Sequence, residues 1–189
     1  MKTLRPLIAS FVLLTAATGI VYPLIVTGIG KLAFSDKVSG SLIEKNGKVV
    51  GSKLIGQNFS EPKYFWSRPS ASGTFAYNGM ASGGSNQGPT NPALKTAIEE
   101  RIKALHDADP GNTAPIPVDL ITASGSGLDP HISPAAAEYQ LQRVAKARGI
   151  GVKHIRGLIA QYTEAPQFGI LGEARVNVLQ LNLALDDTK

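Results

Sequence analysis

Residues 6–30 read PLIASFVLLTAATGIVYPLIVTGIG, 25 consecutive residues without a charge between Arg5 and Lys31. As a helix rising 1.5 Å per residue, a run of that length reaches about 37 Å. The hydrocarbon core of a bilayer is about 30 Å thick, so the run can cross it with some tilt. The alternative is a cleaved signal peptide, with Lys2 and Arg5 as its basic start and Ala17 and Gly19 as small residues at the cut. The apolar run continues for eleven residues beyond Gly19, to Gly30, whereas a signal core is usually about 7–15 residues long. An uncleaved span fits better. Lys2, Arg5 and the amino terminus place its start in the cytoplasm, since basic flanks stay inside while long downstream domains cross largely regardless of charge. Residues 1–36 are therefore expected to form a cytoplasmic tip and a membrane helix, and residues 37–189 an extracytoplasmic domain.

Within the span, Pro23 lacks an amide proton and is expected to kink the helix. The run Thr15-Ala16-Ala17-Thr18-Gly19 offers small residues of the kind at which helices in lipid pack closely. A docking face and a simple anchor both fit it. The span contains no Asp, Glu, Lys, Arg or His, so one such helix cannot supply the ion ligands or proton relay of a transporter. Alone, this chain transports nothing.

Outward from the span, the chain has 189 residues, 19 Lys and Arg against 14 Asp and Glu, and no cysteine. That length fits one domain plus an appendage. The missing cysteine excludes a disulfide scaffold, a thiolate zinc site, an iron–sulfur cluster and a cysteine nucleophile. The pI near 9.5 invites a nucleic-acid reading. Three of the cations (Lys2, Arg5 and Lys31) belong to the membrane segment, however, leaving 16 cations and 14 anions over the other 158 residues. There is no like-charge block, and aromatics make up only 6%. Nothing here builds a basic stacking surface.

The remaining residues read as a mixed domain of class α+β. Leu42–Lys45 and Lys48–Val50 flank Asn46-Gly47, the residue pair suited to the two positive-φ positions of a type I′ hairpin. Tyr64-Phe65-Trp66 is expected in the core, with Arg68 stacked or paired at its rim. Residues 70–92 read as loop, longer than is usual inside a compact domain. Asn91-Pro92 opens a helix with Leu94, Ile98, Ile102 and Leu105 on one face and a Glu99–Lys103 pair. Ser133-Pro134 opens a second, ending at Gly149, with Ala137, Leu141, Val144 and Ala145 inward and Gln140 beside them. A third helix runs from Val152 to Tyr162. The alternation over Val176–Leu185 predicts a strand, with Leu179, Leu181, Leu183 and Leu185 on one face. The elements keep no βαβ rhythm.

Catalytic motifs are weak. Gly40 and Gly47-Lys48 have six intervening residues where a phosphate loop needs four, and Gly125-x-Gly127 lacks the third glycine of a dinucleotide fingerprint. Ser82-Gly83-Gly84-Ser85 can offer successive backbone amides to an anion, or be a glycine-rich turn with no ligand. Asp129, His131 and Ser133 have the residue types of a hydrolase triad, yet triad members converge from separate segments. Asp129-Pro130 reads better as a turn and Ser133 as a helix cap. His106, His131 and His154 lack metal-ligand spacing. The residues by themselves describe a membrane-anchored module without visible catalytic equipment, its rival being a stand-alone extracytoplasmic hydrolase or ligand-binding module.

Ordered motifs along nearly the whole chain carry a resemblance. They are Leu4-Arg5-Pro6, Gly19-Ile20-Val21-Tyr22-Pro23, Gly51 to Phe59 (GSKLIGQNF), Arg68-Pro69-Ser70-Ala71 and Ser82-Gly83-Gly84-Ser85-Asn86. Ser126 to Pro134 (SGLDPHISP), Arg143 to Arg148 (RVAKAR) and Val176-Asn177-Val178 complete the set. The chain resembles the C subunits of Kdp-type potassium-transporting P-type ATPases. The resemblance implies a non-catalytic subunit of a bacterial inner-membrane K⁺ import complex. Its partners would be a channel-like K⁺-selecting subunit, a P-type subunit that hydrolyses ATP, and a small single-span subunit. It further implies a chaperone-like role in assembly and in raising the ATP affinity of the P-type subunit. The implied nucleotide element is similar to the L-S-G-G-Q motif of ABC transporters, and its nearest match is Ala81-Ser82-Gly83-Gly84-Ser85, without the leucine and the glutamine. On that resemblance the ATP contacts would be Ser82, Gly83, Gly84 and Gln140.

Overall fold

The structure, a computed structural model, describes residues 3–188. Lys2 and the amino terminus, on which the expected orientation partly rests, lie outside the described residues. The chain forms two compact units, divided after Leu42.

In the first unit, the apolar run forms a helix over Leu4–Ala33, 30 residues that include an 18-residue stretch of mean hydropathy 2.0, with no buried residue. Two α-helical stretches, α1 (Leu4–Ala16) and α2 (Tyr22–Ala33), are joined by one π-helical turn, Ala17–Val21. Proline explains the turn. Pro23 has no N–H for the Gly19 carbonyl, and its ring crowds that oxygen. The helix widens, and the Tyr22 N–H donates to the Ala17 carbonyl five residues back. The expected kink thus takes the form of a π turn at the proline. Thr18 Oγ1 donates to the Leu14 carbonyl at 2.7 Å, so its hydroxyl is satisfied within the helix. A single helical turn, α3 (Ser35–Val38), comes next.

The hairpin β1 (Leu42–Lys45) and β2 (Lys48–Ser52) begins at the division, and all of it but Leu42 belongs to the second unit. Asn46 and Gly47 have φ of 54° and 72°, the pair of positive angles a type I′ turn demands. A long irregular stretch leads to α4 (Pro92–Ala108), where Asn91 Oδ1 accepts from the Ala93 N–H at 2.9 Å. Leu105 is its buried residue. Glu99 pairs with Lys95 at 3.7 Å, one turn back, while Lys103 pairs with Asp107. The expected Glu99–Lys103 pair is therefore replaced, because each lysine meets a carboxylate four residues on.

The centre of the unit is α5 (Pro134–Arg148). Ser133 Oγ accepts from the Ala136 N–H at 3.0 Å and Gly149 ends the helix at φ 65°. Ala136, Ala137, Leu141, Val144 and Ala145 are buried in one core with Ile155 and Ile159 of α6 (Val152–Gln161) and with Phe65, Leu105 and Leu120. A small antiparallel sheet has the order β3 (His131–Ile132), β5 (Arg175–Asn177), β4 (Thr163–Glu164), with Val176 opposite both Ile132 and Thr163.

The expected strand over Val176–Leu185 stops at Asn177. Beyond it the chain winds into a helix, α7 (Val178–Asp187). Asn177 Oδ1 caps it, accepting from the Gln180 N–H at 3.1 Å. Val178, Leu179, Leu181, Asn182 and Leu185 are its buried residues. Each apolar member of that set stabilises the domain by about 1.5–3 kcal/mol relative to exposure. Leu181 and Leu185 satisfy a period of two and a helical i, i+4 spacing equally. The core on one side and the cap at Asn177 decide for the helix.

Candidate functional site

Residues 62–66 leave a turn and lie on no sheet. Every one of them has a backbone group held by a side chain from α5 or α7. Arg143 Nη1 donates to the carbonyls of Pro62 (2.6 Å) and Tyr64 (3.1 Å), and Arg148 Nε to that of Lys63 (2.6 Å). The Phe65 N–H donates to Asn182 Oδ1 at 2.9 Å, and Asn182 Nδ2 donates back to the Phe65 carbonyl at 2.9 Å. Gln140 repeats this at the next residue. Its Oε1 accepts from the Trp66 N–H (2.7 Å) and Arg143 Nη2 (2.6 Å), and its Nε2 donates to the carbonyls of Trp66 (3.1 Å) and Ala136 (3.2 Å). The two amide side chains thus take the place of a neighbouring strand, satisfying backbone groups that burial would otherwise leave unpaired. Burial brings the Arg143 guanidinium down to about 10, against opposing pulls from Asp109 and Tyr139. It stays charged at neutral pH and lies over the Trp66 ring at 4.5 Å.

A second polar web ties the loop 67–84 to residues 124–127. Ser70 Oγ donates to the Gly127 carbonyl at 2.6 Å and accepts from the Tyr77 N–H at 2.9 Å, and Ser72 Oγ accepts from the Asn78 N–H at 2.9 Å. The Tyr77 hydroxyl donates to the Arg68 carbonyl, and burial pushes its pKa up to about 12. Ser82 Oγ (3.0 Å) and the Gly83 N–H (2.9 Å) both donate to the Ser126 carbonyl. The two loops approach so closely that a Cβ on Gly127, at φ 66°, would lie 2.7 Å from the Gly83 carbonyl oxygen. Only glycine fits there.

The third cluster borders a cleft of about 550 Å³ lined by Arg68, Asp119, Asp129, His131, Glu173 and Arg175, among others. Asp129 Oδ2 pairs with Arg68 Nη1 at 3.1 Å, the rim pairing expected of that arginine. Asp129 Oδ1 accepts from the His131 N–H at 3.0 Å and faces His131 Nδ1 at 3.2 Å. Burial raises the Asp129 pKa, but the His131 hydrogen bonds and the Arg68 charge outweigh it, leaving the carboxyl below its ordinary value. Ser133 stands apart from this pair. Its Oγ caps α5 and donates to Asp119 Oδ1 at 3.2 Å, and its N–H donates to Asp119 Oδ2 at 2.7 Å. The cap reading of Ser133 holds, and the three residues form no triad. Among the described residues, no group of three or more His, Asp or Glu side chains is placed to hold a metal ion.

Matched against known families, residues 4–187 fit the one described as KdpC: K⁺-transporting ATPase, c chain. The chain belongs to this family. Relatives named "Potassium-transporting ATPase KdpC subunit" are similar over almost their full length. The one from Methylococcus capsulatus is 61% identical over 182 residues, 96% of each chain. That from Dechloromonas aromatica is 62% identical over 187 residues, 98% of each. That from Paraburkholderia phytofirmans is 60% identical over 190 residues, covering 100% of this chain and 99% of the relative.

As a KdpC subunit, the chain is an accessory component of a K⁺-transporting P-type ATPase complex. The structure places the four residues implied by resemblance as ATP contacts, Ser82, Gly83, Gly84 and Gln140, in two separate polar networks. Gln140 is 1% exposed, and its four hydrogen bonds are all internal. The Ser82 hydroxyl and Gly83 amide are committed to Ser126, and a Cβ added to Gly84 would lie 3.1 Å from the Gly125 carbonyl oxygen. Gln140 therefore belongs to the ladder on residues 62–66, and Ser82, Gly83 and Gly84 to the loop clasp at 124–127. The ladder residues Arg143, Arg148 and Asn182 carry no spacing signal, because they reach residues more than 70 positions away.

Proposed function

We propose that this KdpC subunit acts by assembly, as a non-catalytic accessory of an ATP-driven K⁺ import complex. It is anchored in the bacterial inner membrane with its amino terminus in the cytoplasm and residues 37–189 outside. Its partners are the channel-like K⁺-selecting subunit, the ATP-hydrolysing P-type subunit and the small single-span subunit. The observation that carries this reading is the helix Leu4–Ala33, 30 residues long and without a buried residue. An apolar helix with small residues at Thr15–Gly19 and no Asp, Glu, Lys, Arg or His between Arg5 and Lys31 is built to pack against other helices. Within the folded domain, the ladder and the loop clasp occupy Gln140, Asn182, Ser70, Ser72 and Ser82 with internal hydrogen bonds, which supports the same reading. Any effect on ATP affinity is then exerted on the P-type subunit through protein contacts.

The test is assembly. A Cβ at Gly19 meets nothing within 4 Å in this chain, so Gly19→Leu leaves the helix itself undisturbed. Recovery of the other subunits with the tagged chain in mild detergent is expected to fall several-fold. Wild-type recovery would contradict helix packing at this face.

A further inference from the structure

Beyond the membrane helix, the most concentrated exposed apolar group is the hairpin tip between β4 and β5. Phe168 is 83% exposed, Ile170 82% and Leu171 56%. The tip is held in one shape. The Gln167 N–H donates to the Leu171 carbonyl at 2.8 Å, the Leu171 N–H returns to the Gln167 carbonyl at 2.9 Å, and the Ile170 N–H reaches the same carbonyl at 3.3 Å. Phe168 and Gly169 occupy the turn with φ of 56° and 78°.

The β1–β2 hairpin makes a comparable turn. At Asn46-Gly47 it uses the residue pair that adopts positive φ most readily. At Phe168-Gly169 the chain puts a bulky aromatic in the position where asparagine stands in the first hairpin, which is a strained choice for such a side chain. The Phe168 ring is not buried in return, so folding of this chain gains little from it. A rigid, exposed aromatic beside two aliphatic residues has the make-up of an interface anchor.

Charge selects the occupant. From residue 164 to 175 the only cation is Arg175, and it is paired with Glu164 at 2.9 Å, which leaves Glu173 to make the border net negative. A negative border disfavours an anionic lipid surface, and two copies meeting tip to tip would bring like charges together. Membership of a multi-subunit transporter supplies the remaining candidate. Resting on the accessory role proposed above, we infer that the Phe168–Leu171 tip docks into an apolar recess, edged by cations or N–H donors, on another subunit of the same K⁺-transporting ATPase.

The experiment uses the full chain in the assembled complex. Phe168 is replaced by photoreactive benzoylphenylalanine and irradiated in membranes. The expected product is an adduct with a subunit of the transporter. In parallel, Phe168→Gly places at φ 56° the residue that best tolerates it, so thermal unfolding of the chain should not fall. Recovery of the other subunits should drop at least five-fold. An adduct only with lipid or with a second copy, no adduct at all, or wild-type recovery with Phe168→Gly overturns the inference. If the wild-type chain itself recovers no transporter subunits, the accessory reading falls too, and that outcome is distinct from the variant behaving like wild type.

Discussion

Gln140 and Asn182 show how a single side chain can replace a strand. Each pairs with the backbone of one residue, Trp66 or Phe65, through both its oxygen and its nitrogen. The adjoining residues are held by Arg143 and Arg148, whose planar guanidinium groups reach several carbonyls at once. Truncating Gln140 leaves the Trp66 N–H unpaired, together with part of the Arg143 shell, and each such orphan costs about 1–3 kcal/mol. Gln140→Ala is therefore expected to destabilise the chain by about 3 kcal/mol, read by denaturant unfolding in detergent without nucleotide. An unchanged midpoint would mean that these hydrogen bonds contribute little to stability. Gly127 belongs to the same scale, since its positive φ and the nearby Gly83 carbonyl leave no room for a side chain.

Among the elements, the legible ones announce their own ends. Asn46-Gly47, Asn91-Pro92, Ser133-Pro134 and Gly149 are local signals with local mechanisms, and the structure places a turn, two caps and a left-handed stop at them. The element that escaped is α7. Its leucines alternate, which is how a half-buried strand reads, and only the buried face reveals the helical period. The local clue is Asn177, which caps with Oδ1 while its Nδ2 donates to the Lys53 carbonyl at 2.9 Å. Asn177→Ala should cost about 1–2 kcal/mol and lower helical signal on mild heating, measured by circular dichroism. An unchanged melting curve would mean that core packing alone holds this helix. The ladder on residues 62–66 was not legible at all. Its partners lie far apart in sequence, and glutamine or arginine on a helix usually faces water. The pattern around Ser82-Gly83-Gly84-Ser85 showed a special backbone but not its purpose, which is close contact with another loop.

At the scale of the whole molecule, the chain divides into an apolar helix long enough to cross a membrane and a folded domain in which two polar networks hold the irregular segments. The chain's positive charge keeps the same division, with Arg5 and Lys31 bracketing the apolar run and the rest nearly balanced. On the proposed function the domain stands outside, away from cytoplasmic ATP, and acts through its partners. The absence of cysteine makes this directly measurable. Gly111 lies exposed in the connection after α4, and a Cβ there meets nothing within 4 Å. Gly111→Cys should therefore fold normally. Intact cells carrying it would be treated with a thiol reagent that cannot cross the cytoplasmic membrane. Labelling without permeabilisation is the expected result and puts the domain outside. Protection until the membrane is opened would put it in the cytoplasm and contradict the proposed function.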